Sequence, residues 1–153
     1  MTSNKTILAD REIQLSRTFR APAAKLFAAY TDPKQVPEWW GYPKGSLKVD
    51  RMDVRTGGSY RFLQTWPDGR VMASIGSYVD VKPVTRLVYT FQIEGQPGAP
   101  VTTVVDLAES GGQTTLTLTL QFATKEAKEL AMQYGAAAGA KGALHQLAAF
   151  VEA

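Results

Sequence analysis

The clearest pattern in the chain is the alternation of apolar and polar residues over 114–122, TTLTLTLQF. Leu116, Leu118 and Leu120 point to one side of an extended segment, and the intervening threonines point to the other. A period of two with this composition predicts a strand with one buried and one solvated face. The same pattern predicts a first strand over 12–20, followed by strands near 46–54, 58–66, 70–81, 86–94 and 101–109. Turn residues such as those of Pro67-Asp68-Gly69 separate them, so we expect an antiparallel meander.

Helical spacing is confined to two parts of the chain. Residues 22–30 predict a short helix with proline in its first turn, and a second short helical turn runs into Trp39-Trp40. Thr124 caps a long helix that extends to about Val151, with Gly135 as a candidate bend. This helix is expected to cover the apolar face of the sheet. The prediction is an α+β fold, in which a curved antiparallel sheet of about seven strands wraps around a long C-terminal helix and two short helices follow strand 1. We expect residues 1–10 to form a flexible lead and 11–153 to form a single domain.

The residue types that are missing narrow the chemistry. The 153-residue chain has no cysteine and one histidine. Disulfide frameworks, thiolate zinc sites, iron–sulfur clusters and cysteine nucleophiles are therefore excluded, as are metal sites with two or more imidazoles. We expect neither a metal nor a cofactor.

Charge and hydropathy bear on the partners. The formal net charge is +3 and the isoelectric point is near 9.2, but Lys and Arg are scattered from Lys5 to Lys141 without a run of three. Because nucleic-acid binders concentrate positive charge on one face or arm, no nucleic-acid partner is expected. The first residues, MTSNKTILADRE, contain no apolar leader, and no segment approaches the roughly 20 apolar residues of a membrane span. The sequence predicts a cytoplasmic protein and is compatible with a homodimer, although it determines no oligomeric state.

Large aromatic side chains and a run of small residues together suggest a cavity. The run GAAAGAKG occupies 135–142 of the C-terminal helix. Large aromatics opposite such a run favour an apolar cavity over a uniformly filled core, although core packing is the alternative. The residues predicted to line a ligand site are Trp40, Tyr60, Phe62, Tyr89, Phe91 and Tyr134.

Polar residues support a second hypothesis, an enzyme of the cyclase or dehydratase kind. It requires an acid or base such as Asp53 or His145 inside the cavity. The best candidates for binding a ligand carboxylate are Arg51, Arg61 and Arg86, because guanidinium binds it bidentately. The sequence leaves open whether these arginines or His145 face the cavity.

Four spaced motifs resemble the bacterial family named for the activator of heat-shock-protein-90 ATPase. The resemblance covers about 11–152. The motifs are Thr31-Asp32-Pro33 with Trp39-Trp40-Gly41-Tyr42-Pro43, Asp53-x-Arg55-x-Gly57-Gly58-Ser59-Tyr60-Arg61-Phe62, Pro67-Asp68-Gly69, and Gly76-x-Tyr78 with Pro83-x-x-Arg86-Leu87-Val88.

The resemblance implies a fold and a general function. The family belongs to the START-like, Bet v 1-like (SRPBCC) superfamily, which implies a helix-grip fold and a deep apolar cavity between sheet and helix. A chaperone-associated interaction module is a third hypothesis, supported by the family name alone. The family often carries a Gly-Trp pair in the long helix, whereas here Ala140 follows Gly139. The missing indole implies a larger space over the sheet.

Overall fold

The computed structural model describes residues 10–41 and 46–153. Seven strands and four helices make up this part of the chain. In chain order they are β1 (Glu12–Phe19), α1 (Ala23–Thr31), α2 (Val36–Trp39), β2 (Leu47–Met52), β3 (Ser59–Thr65), β4 (Val71–Lys82), β5 (Arg86–Ile93), β6 (Val101–Ser110), β7 (Gln113–Gln121), α3 (Lys125–Gln133) and α4 (Ala136–Val151). The α+β class and the two short helices after strand 1 are confirmed. Most of the N-terminal lead, and Tyr42 and Pro43 of the tryptophan motif, lie outside the described residues.

All seven strands belong to one curved antiparallel sheet, with the order β1-β7-β6-β5-β4-β3-β2. The meander from β2 to β7 pairs each strand with the next, and β1 closes the order by pairing with β7. Register shifts occur between Val49 and Arg51 of β2 and between Tyr78 and Asp80 of β4. Such irregularities increase the local twist, which helps the sheet to bend around its helices.

The apolar face of the sheet has the sidedness that the alternation predicts. Leu15 of β1, Leu118 of β7 and Val105 of β6 are cross-strand neighbours and therefore share the inner face. Leu116 of β7 and Leu147 of α4 are fully buried, so the core lies between this face and α4. The burial of such side chains stabilises the fold by about 1.5–3 kcal/mol each.

Long-range hydrogen bonds attach α1 to the rest of the chain. Its N-terminal residue is preceded by Pro22, which provides no side-chain cap. The Glu109 carboxylate at the end of β6 instead accepts a hydrogen bond from the backbone N–H of Ala23, at 2.8 Å. A carboxylate is favourable at a helix N-terminus because the exposed N–H groups carry partial positive charge. The buried Thr114 hydroxyl donates to the carbonyl of Ala21 at 2.7 Å.

The C-terminal helix is not continuous. Gly135 adopts a left-handed conformation, with φ of 86°, and separates α3 from α4. Glycine adopts this conformation at little cost because it has no Cβ. The expected single helix from Thr124 is thus two helices, of which α4 has 16 residues, about 24 Å of helix. The whole of α3 has no buried residue.

The turn between β4 and β5 contains a residue with a strained backbone conformation, Val84. Val84 has φ of 74°, and the N–H of Thr85 donates to the carbonyl of Lys82 across the turn at 3.1 Å. A β-branched residue with positive φ costs of the order of 1–3 kcal/mol. We expect Val84→Gly to raise the free energy of unfolding by about 1 kcal/mol and the Tm by about 2–4 °C.

Urea denaturation and calorimetry of both proteins check this expectation. Thr85→Gly is the matched control, because Thr85 lacks positive φ. This replacement should lower the free energy of unfolding by about 0.5–1 kcal/mol, because glycine gives the unfolded chain more backbone entropy. A Val84→Gly protein no more stable than the original would contradict the assigned strain.

Candidate functional site

A cavity of about 480 Å³ lies between the inner face of the sheet and the C-terminal helices. Side chains of β5, β6 and β7 form its floor, and α4 together with Ala131 of α3 forms its roof. The end of α1 and the segment 39–41 close one side. The volume is within the range of roughly 300–1,000 Å³ that is typical of small-molecule sites.

The roof is built from residues spaced for one face of a helix. Ala136, Gly139, Ala140 and Ala143, followed by Leu144, line the cavity. The spacing of 0, 3, 4, 7 and 8 places them along a single stripe that faces the sheet. A Cβ added to Gly139 would meet no atom within 4 Å. The small side chains of this stripe leave the space open. We name the stripe the small-residue face of α4, and it consists of Ala136, Gly139, Ala140 and Ala143.

Aromatic rings close one side of the cavity. Tyr30 of α1, Trp39 of α2 and Trp40 form an aromatic wall. The Tyr30 ring lies 4.8 Å from that of Trp39, at an interplanar angle of 71°. Such edge-to-face pairs stabilise by about 0.5–1.5 kcal/mol beyond burial. The wall is connected to the roof by Gln146 of α4, whose Nε2 donates to the carbonyl oxygens of Trp39 at 2.6 Å and Gly41 at 3.0 Å.

Three of the six aromatic residues predicted to line the site lie on the cavity surface. They are Trp40, Tyr89 and Phe91. Tyr89 and Phe91 come from alternate positions of β5, and the Tyr89 ring lies 5.9 Å from that of Trp40. The segment 39–41 and the floor therefore meet at an aromatic contact.

The other three residues lie elsewhere. Tyr60 and Phe62 of β3 are buried beneath the aromatic wall, against a void of only about 10 Å³. Their rings pack at 4.6 Å, and the Tyr60 hydroxyl donates to the carbonyl of Thr90 at 2.6 Å. Tyr134 is 85% exposed, because it precedes Gly135, where the helix breaks. In this structure these three side chains do not line the cavity.

Two lining residues with hydroxyl groups are not among the predicted site residues. Tyr30 lies at the end of the predicted short helix 22–30, and Thr103 lies in the predicted strand 101–109. Both line the cavity and are buried. The alternation of β6 contained a signal, because Thr103 shares its face with Val105 and Leu107. A residue with a hydroxyl group on the apolar face of a strand indicates a polar group inside the core.

The arginines considered for carboxylate binding lie outside the cavity. Arg61 forms ion pairs with Glu94 at 2.8 Å and Asp50 at 3.1 Å, and these raise the pKa of the guanidinium further above its ordinary value. Arg86 pairs with Asp106 at 2.8 Å, and Arg51 is exposed. Both pairs therefore keep the guanidinium groups away from the cavity.

The candidate acid and base also lie outside it. Asp53 pairs with Arg55 at 2.8 Å at the start of the β2–β3 turn. His145 is exposed on α4, one residue beyond the lining Leu144. Across residues 10–41 and 46–153, no group of histidine and carboxylate side chains could hold a metal ion, and no helix is long and apolar enough to cross a membrane.

The ionisable groups on the cavity surface are phenols. Burial raises the pKa of Tyr30 above its ordinary value. Burial also raises the pKa of Tyr89, the nearby phenols of Tyr30, Tyr60 and Tyr78 add to this rise, and a hydrogen bond with Thr103 opposes it. Both hydroxyls therefore keep their protons through and beyond the neutral pH range.

The sheet order, the C-terminal helix and the cavity between them define the helix-grip class. Residues 20–152 match the family of Activator of Hsp90 ATPase homolog 1-like proteins, so the chain belongs to this family. The resemblance carried by the tryptophan and glycine motifs is thus confirmed. No curated protein matches the chain. The wider SRPBCC superfamily typically binds hydrophobic ligands.

Solved bacterial structures share the architecture. Protein Ms6760 from Mycobacterium smegmatis is 26% identical, with a TM-score of 0.80 over 93% of this chain and 91% of that one. Protein CV1439 from Chromobacterium violaceum is 26% identical, with a TM-score of 0.78 over 93% and 98% of the two chains. A protein from Arthrobacter aurescens, 20% identical, has a TM-score of 0.84 over 95% and 88%, and supports the fold alone.

The buried phenols predict a loss of stability at alkaline pH. Burial raises the pKa of Tyr30, Tyr60, Tyr78 and Tyr89 in the folded chain. The contribution of these protonated phenols to the free energy of unfolding is complete below the unfolded tyrosine pKa of about 10. It is lost as the pH rises above that value, because the unfolded chain then binds fewer protons than the folded chain. We expect Tyr60→Phe to reduce the loss of unfolding free energy between pH 8 and 11 by about 1 kcal/mol.

Urea titrations followed by circular dichroism at each pH measure this difference. Tyr134→Phe is the control, because the Tyr134 side chain is 85% exposed and is solvated in both states. Equal pH dependence in the two variants would argue against the burial of the Tyr60 phenol.

Proposed function

We propose that the protein binds a small hydrophobic or aromatic ligand in the cavity between the sheet and α4. The observation that carries this proposal is the small-residue face of α4 over a floor that includes Phe91, Leu118 and Leu120. A space of about 480 Å³ in such surroundings deprives its lining atoms of packing partners, which costs stability. A ligand of matching shape restores these contacts.

The family context supports the same function. The SRPBCC superfamily typically binds hydrophobic ligands. The family resemblance implies that tryptophan often follows the glycine of the long helix, whereas Ala140 occupies that position here and lines the cavity. We infer that this chain accommodates a bulkier ligand than a protein whose indole fills the same place.

Binding is favoured over catalysis by the chemistry of the lining. A cyclase or dehydratase needs a general acid or base beside the reacting atoms. Among the described residues, no carboxylate, imidazole or amine lines the cavity, and Asp53 and His145 lie outside it. No observation favours a chaperone-associated module. The cytoplasmic location stays a prediction.

A neutral dye and a pair of tryptophan variants test the proposal. Nile red is neutral and apolar, and we expect saturable binding with a blue-shifted emission. At a free dye concentration of 100 Kd, the stabilisation is about 2.7 kcal/mol, or a Tm increase of about 5–10 °C. We expect Ala140→Trp to weaken the binding at least about 10-fold, because the indole occupies the space, while the free protein keeps its fold.

The matched control is Ala138→Trp, on the same helix at an exposed position. This variant should bind Nile red as the original protein does. Unchanged affinity in Ala140→Trp would place the dye elsewhere. If neither Nile red nor a broad panel of neutral apolar compounds raises the Tm of the original protein, the proposal fails.

A further inference from the structure

Three residues with hydroxyl groups are among those that line the otherwise apolar cavity. They are Tyr30 of α1, Tyr89 of β5 and Thr103 of β6. Their side chains are almost fully buried, with relative exposures of 6%, 6% and 3%. Tyr89 and Thr103 are directly opposed cross-strand neighbours on the inner face. The cavity thus has a polar point where its floor meets the aromatic wall.

The hydrogen bonds of these groups leave phenol hydroxyls available to a ligand. Thr103 hydrogen bonds with the Tyr89 hydroxyl. Either oxygen can be the donor, and when Thr103 donates, the phenol keeps its own proton for a ligand. The Tyr30 hydroxyl forms no hydrogen bond with any residue in the described ranges. The Tyr60 hydroxyl differs, because it donates to the carbonyl of Thr90 at 2.6 Å. A ligand that accepts from these phenols gains hydrogen bonds inside an otherwise apolar lining, so it gains binding energy.

The charge of the ligand is constrained by the same lining. No charged side chain from residues 10–41 or 46–153 lines the cavity, and Arg61 and Arg86 are paired with carboxylates elsewhere. An ionised carboxylate would lose its hydration without gaining a cation, which is strongly unfavourable. A neutral carbonyl oxygen has a lower desolvation cost, and its two lone pairs match two O–H donors.

We propose that Tyr30 and Tyr89 together bind the carbonyl oxygen of a neutral, otherwise apolar ligand, and that Thr103 orients the Tyr89 hydroxyl. This assignment rests on the proposed binding function and specifies the class of ligand. The aromatic wall and the small-residue face of α4 contact the apolar body of the ligand. Because burial raises the pKa of both phenols, they remain donors over the physiological pH range.

A matched set of three compounds tests the proposal on the unmodified protein. 9-Fluorenone and fluorene share a flat tricyclic body and differ by a carbonyl group in place of a methylene, and fluorene-9-carboxylate adds a charge. Two net hydrogen bonds of about 0.5–1.5 kcal/mol each predict that fluorenone binds about 5- to 150-fold more tightly than fluorene. We expect no measurable binding of the carboxylate. Displacement of Nile red measures all three affinities.

Single-atom variants then identify the donors. Tyr30→Phe and Tyr89→Phe should each weaken fluorenone binding about 3- to 10-fold and leave fluorene binding unchanged. Tyr60→Phe is the control, because its hydroxyl is bonded to the backbone away from the cavity. The carbonyl stretching band of bound fluorenone should lie at lower frequency in the original protein than in either cavity variant.

The outcomes separate this proposal from the proposed function. Equal affinity for fluorenone and fluorene would overturn the carbonyl assignment and leave hydrophobic binding intact. Tight binding of the carboxylate would overturn the requirement for a neutral ligand. If fluorenone binds preferentially but Tyr30→Phe and Tyr89→Phe do not change its affinity, the donors are misassigned. Failure of all neutral compounds, Nile red included, would overturn both proposals.

Discussion

The architecture depends on one constraint: the apolar face of a seven-stranded sheet must be covered, and α4 lies across it. In its second half, α4 meets this requirement with Leu144, Leu147 and Val151, which are almost fully buried. In its first half, the side chains that face the sheet are alanine and glycine. The same helix therefore forms a packed core at one end and a cavity at the other. The position of the cavity follows from side-chain volume along one helical stripe.

The helix is held in place by groups that also shape the site. Gln146 is on α4, and its donors reach the carbonyl oxygens of Trp39 and Gly41. A shift of α4 would break these bonds and move the aromatic wall relative to the roof. The bond from Ala23 to Glu109 similarly attaches α1, which carries Tyr30, to the sheet. Buried donors that lose their partners cost about 1–3 kcal/mol, so the cavity geometry is coupled to the stability of the fold.

Much of the fold could be predicted from the sequence, because its determinants are local. Alternation assigns each strand a face, and turn residues separate the strands. Position within the sheet is a long-range property, which explains the outcome for the aromatic residues. Tyr60 and Phe62 share the inner face with Tyr89 and Phe91, yet β3 lies near the far edge, beneath the aromatic wall. The placement of Tyr134 depends on the backbone at Gly135, where the helical pattern alone does not distinguish a bend from a break.

The hydroxyl groups were harder to predict, since each has a conventional explanation in isolation. A tyrosine on the apolar side of a short helix indicates core packing, and one threonine among valines is common in strands. Only the assembled sheet brings Tyr89 opposite Thr103 and closes the site with Tyr30. Charged side chains are instead kept out of the cavity, because Arg61 and Arg86 form ion pairs with carboxylates outside it. A lining with hydroxyls and no charge in the described chain binds neutral molecules better than ions, because a neutral group enters it with a much smaller loss of hydration energy.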